Sequence, residues 1–186
     1  MKRARTAAAV AALAAVLGVA GCAEDQPPDP ITITDGRACL AVERDTVEAT
    51  LGVRFDTSVP ASVDQTSTCV LAQQGQAYPD LTVTMSQSDA DVVIFQVTAV
   101  PAGATAVADL GRIAYQVTLP AGTAPDGTSS GPALELGWLS AAPRLMTLRY
   151  TWPAGATDAD VTTLAPKLLD LAHGIEHALL VGPTLG

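Results

Sequence analysis

The chain has 186 residues, 48% of them hydrophobic, and a formal net charge of −9. Such an acidic balance speaks against a nucleic-acid partner and against electrostatic docking on anionic headgroups. The length suits one domain, and the odd count of three cysteines requires an explanation for each.

The opening residues MKRART place Lys2, Arg3 and Arg5 ahead of an uncharged run from Ala7 to Ala20. A basic start, an apolar run and small residues at its end make a secretory signal. The run is shorter than the roughly 20 residues a membrane span needs. It also lacks the polar face of a surface helix. Val19-Ala20-Gly21-Cys22 resembles the lipobox of bacterial lipoprotein signals. The resemblance implies diacylglyceryl transfer to the Cys22 sulfur and cleavage before Cys22, removing residues 1–21. Two or three acyl chains suffice for stable anchoring. The remaining chain then carries seven Lys/Arg against 19 Asp/Glu, a formal −12. The expected place is the extracytoplasmic face of the cell membrane, where the acyl chains hold the protein and its charge does not.

With Cys22 taken by lipid, Cys39 and Cys69 are free to pair in an oxidising compartment. The alternative is two buried thiols. Residues 22–34, including the acidic and proline-rich AEDQPPDP, cannot bury a core and read as a tether. One globular domain is expected over 35–181, followed by a short tail at 182–186.

ACLAVERDTVEATLG opens the domain. Asp45 and Glu48 fit a capping box and Gly52 a helix stop, with Val47, Thr50 and Leu51 facing inward. Cys39 precedes this helix within a turn of its own, so a bond to Cys69 fastens the helical corner to the strand around STCVLAQ. Leu81, Val83 and Met85 alternate with Thr82, Thr84 and Ser86 as in a half-buried strand. DVVIFQVTAV is rich in β-branched residues and reads as another strand, a helix being the alternative. Ile113 to Leu119 gives a further strand, and PAGTAPDGTSSGP a loop.

Leu134, Leu136 and Trp138 share one strand face, and Met146, Leu148, Tyr150 and Trp152 share another. The short link SAAPR lets the two strands pair as an antiparallel hairpin. Their seven apolar side chains make either one slab of core or one wall of a cavity for an apolar ligand. From Asp158 to Leu180, Val161, Leu164, Leu168, Ala172, Ile175 and Leu179 recur at helical spacing, with Thr157 at the N-cap. Pro166 is expected to kink or split that helix.

Two motifs suggest catalysis and are declined. HGIEH, His173 to His177, fits a zinc-peptidase pattern with Glu176 as base. Both histidines, however, project away from the apolar stripe, and no acidic third ligand follows. GTSSG, Gly127 to Gly131, fits a nucleophile elbow centred on Ser129, with Asp170 and His173 completing a triad order. Its context, a loop leading into a strand, is wrong for an elbow. Asp89 and Asp91 lack calcium-loop spacing. The reading is non-enzymatic, with no metal or cofactor.

The lipobox, ACLAVERDTVEATLG, Cys69, VADLGRIAY before a strand and the Ala/Leu-rich C-terminal helix are together similar to a family of actinobacterial secreted lipoproteins of unassigned function. That resemblance implies an α+β domain, an antiparallel sheet flanked by a short N-terminal and a long C-terminal helix, and carries over no catalytic residue. Two functions follow as expectations. One is a binding module for a lipid or other small apolar ligand. The other is a ligand-free accessory subunit docking on an envelope protein.

Overall fold

The computed structural model describes residues 37–124 and 126–181. Cys22, the tether and the tail at 182–186 lie outside the described residues. In chain order the elements are α1 (Arg37–Leu40), α2 (Arg44–Leu51), β1 (Thr57–Val63), β2 (Thr66–Ala72), β3 (Asp80–Gln87) and α3 (Val92–Thr98). They continue with β4 (Thr105–Val107), β5 (Ile113–Leu119), β6 (Ser130–Leu139), β7 (Arg144–Pro153) and α4 (Asp158–Val181). The strands form one sheet in the order β1-β2-β3-β7-β6-β5-β4, every pair antiparallel. Two meanders, β1-β2-β3 and β4-β5-β6-β7, thus meet where β7 pairs with β3. The expected α+β architecture is present.

Strand alternation assigns the two faces. Cys69, Val83, Leu148 and Leu136 lie in register across four strands, as do Leu71, Leu81, Tyr150 and Leu134. These rows point to the face covered by α1, α2 and α4 and form the main core. The α4 helix contributes Val161, Leu168, Leu171, Ala172 and Ile175 to it. The Cys39–Cys69 disulfide, with Cα atoms 5.0 Å apart, ties α1 to β2 on this face as expected.

Two local expectations are corrected and a third is narrowed. Residues 92–98 form α3, not a strand. The Asp91 carboxylate accepts a hydrogen bond from the Ile94 N–H (2.8 Å), so a side-chain cap starts the helix despite its β-branched content. Only Phe95 of α3 is buried, so the segment presents no period-2 face to the core. The cap of α2 is Glu43, without a side-chain bond, and Asp45 lies in the first turn, where its charge suits the helix dipole. Gly52 stops that helix in the left-handed region, φ 73°, as expected. Of the two outcomes expected of Pro166, a kink or a split, the split does not occur: α4 is continuous through it. The proline sits on the exposed side, where the carbonyl it leaves unpaired meets water while the opposite face stays buried. At the start of α4 the Asp160 carboxylate accepts from both the N–H and the hydroxyl of Thr157 (2.7 and 2.8 Å).

Candidate functional site

The seven residues expected as a ligand wall are all buried: Leu134, Leu136, Trp138, Met146 and Leu148 have no exposure, Tyr150 4% and Trp152 8%. They pack into the main core under α4. Tyr150 and Trp152 meet edge-on with ring centroids 4.6 Å apart, and Phe55 closes on Tyr150 at 6.5 Å. Three surface clefts, of about 360, 580 and 450 Å3, are lined by other residues. In this structure the seven side chains belong to the packed core.

Glu176, the base position of the declined zinc motif, is 7% exposed and fully engaged. One carboxylate oxygen accepts from the Trp138 indole N–H and the other from the Ala141 N–H, both at 2.9 Å. A buried carboxylate with both oxygens bonded is a structural pin joining α4 to the β6–β7 turn. His173 is half-buried and His177 exposed, and among the described residues no group of three metal-ligating side chains is assembled. Ser129 is exposed beside the start of β6, whereas Glu176, one turn beyond His173, binds Ala141, two residues past the end of that strand. The triad order therefore spans opposite ends of β6 and makes no site.

The opposite sheet face holds the remaining chemistry. Its β5–β6 half is capped by a small cluster of Phe95, Tyr115, Val117 and Leu139. The Tyr115 ring lies over Gly137, where an added Cβ would fall inside the ring, and stacks tilted on Phe95 at 6.0 Å. The Tyr115 hydroxyl donates to Glu135 (2.9 Å), and Arg149 approaches the same carboxylate at 4.0 Å. Burial, reinforced by the Glu135 charge, raises the Tyr115 hydroxyl well above its usual value, so it stays a donor.

Over β2, β3 and β7 this face is a floor of half-buried hydroxyls. Thr68, Thr84 and Thr147 stand in one row; Thr66 and Ser86 share a hydrogen bond of 2.9 Å in the next. Thr82 and Arg149 form a third row. At the far end Asp80 is bonded by Thr151 and Thr82. Burial nonetheless raises its pKa, and its Oδ1 has no hydrogen-bond partner. The same burial, with a push from Asp80, raises the Tyr150 hydroxyl to about 12. The exposed valines Val59 and Val63 border the floor on β1. Threonine alternation marks a solvent-side strand face in the sequence, but the charged group Asp80, Glu135, Arg149 and Tyr115 comes from four strands and has no local signal.

No family model, curated protein or solved structure matches the chain. No helix among the described residues is long and apolar enough to cross a membrane.

Proposed function

We propose that the protein is a lipid-anchored, extracytoplasmic and non-catalytic interaction domain, whose working surface is the hydroxyl floor of β2, β3 and β7. The lipobox at Cys22 supports the anchor, and the single observation behind the interaction role is the unequal covering of the sheet. Three helices cover one face of the sheet, while among the described residues half of the other is open beside α3. The floor, about four strand spacings of 4.8 Å from β1 to β6, is wide enough for one helix or extended segment. Its hydroxyls, the Glu135–Arg149 pair and the bordering valines supply the mixed polar and apolar contacts of a protein interface. Sugar recognition fits less well, because six of the seven aromatic side chains are buried and only the half-buried Tyr78 could offer a stacking surface. The occupant is therefore a segment of another envelope protein.

Photo-crosslinking residues placed in the cell at Thr84 or Thr147 test this, with Thr162 on the exposed side of α4 as control. A discrete adduct from the floor alone, lost on Arg149→Glu, is expected. Adducts of equal yield from both surfaces, or none from the floor, overturn the reading.

A further inference from the structure

Among the described residues eight large hydrophobic side chains are exposed; Leu40, Val59 and Val97 stand apart, and the other five lie toward one end of the sheet. The register places Val63, Thr66, Ser86, Leu145, Leu139 and Ile113 in one row across the sheet. This row marks the end that carries the β1–β2 and β6–β7 turns. The α3 helix begins there, only five residues beyond Gln87, with Val93 65% and Ile94 49% exposed. The Glu176 bond to Ala141 brings the last part of α4 to the same end. Because α4 starts just after β7 at the opposite end, its final residues Leu180 and Val181, 54% and 63% exposed, project past the turns. Val63, 70% exposed, completes the set. Single exposed aliphatic residues are ordinary; five gathered around one end of a sheet are not.

The chain also enters the domain at this end. The Ala38 N–H donates to the hydroxyl of Ser67, in the row next to Thr66, so α1 begins beside the turns. Fully extended, the stretch from Cys22 to Arg37 reaches about 50 Å, so a domain on a lipidated Cys22 meets the bilayer often and in many orientations. The far end carries acids too, Asp56, Asp80, Asp126, Asp158 and Asp160, with Arg54 and Arg44 beside Asp56, so charge sets the two ends apart only slightly and the apolar side chains decide.

We propose that the turn end of the sheet seats on the lipid surface, with Val63, Val93, Ile94, Leu180 and Val181 entering the interface. This rests on the anchoring of Cys22 argued above. The attraction is apolar. Asp64, Asp89, Asp91 and Asp109 share this end with Arg112 and Arg144, so anionic headgroups add mild repulsion and salt strengthens the seat rather than loosening it. The strands then stand steeply to the membrane, and the hydroxyl floor faces sideways along it.

The test uses the full chain from an actinobacterial host, methyl-labelled at Ile, Leu and Val, on vesicles of phosphatidylcholine with a minority of phosphatidylglycerol. A gadolinium-chelate lipid in these vesicles broadens nearby methyl signals. Intact mass comes first: an unmodified Cys22 overturns the anchoring and this proposal with it. With Cys22 acylated, broadening severalfold stronger at Val63, Ile94 and Val181 than at Leu119 and Val161 is expected, undiminished by added salt. The variant Val93→Ser/Ile94→Ser, altered only at exposed positions, should lose most of that contrast. Equal broadening at both ends overturns the seat alone. So does broadening strongest at Val59 and Val97, which would mean that the open face lies down on the lipid, or a contrast abolished by salt.

Discussion

At the scale of single residues, the most informative side chain is Glu176. Its position continues the apolar stripe of α4, one residue after Ile175 and four after Ala172, so the helical pattern already places a carboxylate in the core. The HGIEH motif advertises its chemistry and conceals its burial. Only the fold supplies the partners, because Trp138 and Ala141 lie far off in sequence. Trp138→Phe and Glu176→Gln each leave a buried polar group short of a partner and should cost about 1–3 kcal/mol. Since they share one bond, the double variant should lose less than the sum of the two; strict additivity in denaturant titrations would contradict a direct coupling. Asp80 behaves in the opposite sense. Burial raises its folded pKa above the ordinary 3.8, so the native state holds this proton more tightly than the unfolded chain does. Its contribution to stability is complete below 3.8 and is lost as pH rises through the folded value. Asp80→Asn should therefore be more stable than the parent at neutral pH and should flatten the decline that sets in above the ordinary carboxylate range. A variant weaker than the parent at neutral pH would show that the bonds from Thr151 and Thr82 outweigh the burial.

At the scale of elements, legibility followed periodicity. β3, β6, β7 and α4 were readable because each sets a regular apolar row against a single core face. β1 was not: it is an edge strand whose residues are exposed or only half-buried, so burial imposes no alternation on TSVPASV. The α3 helix misled for a related reason. It buries only Phe95, and its valines describe its composition rather than its packing. What holds the β1–β2 corner is the covalent link to α1, expected from the cysteine count alone. Removing it with Cys39→Ala/Cys69→Ala should cost about 3–4 kcal/mol, the closure entropy of a loop with sequence separation 30. Hydrogen exchange should then accelerate first in β1 and β2, while β6 and β7 keep their protection. A uniform rise across the sheet would mean that the link stabilises the whole domain rather than this corner.

At the scale of the whole molecule, the asymmetry of the sheet bears differently on the two functions the sequence left open. An alternating hairpin rich in Leu, Met, Trp and Tyr looks the same whether it lines a cavity or faces a helix; the pattern records which side is apolar and not what covers it. Here α4 covers it. Trp138 and Leu136 have no exposure, and the Glu176 pin fixes the helix directly above Trp138. An apolar molecule could enter only by breaking that pin and displacing core side chains, each a cost of kcal/mol order. On the reading proposed above, a partner on the open face would displace no core side chain. Native mass spectrometry of the chain secreted from an actinobacterial host should therefore show no small molecule that is retained under gentle conditions and released on denaturation. A stoichiometric apolar adduct would mean that α4 lifts from the sheet in solution. The slab from Leu134 to Trp152 would then be a binding wall after all, and the hydroxyl floor an ordinary solvated face.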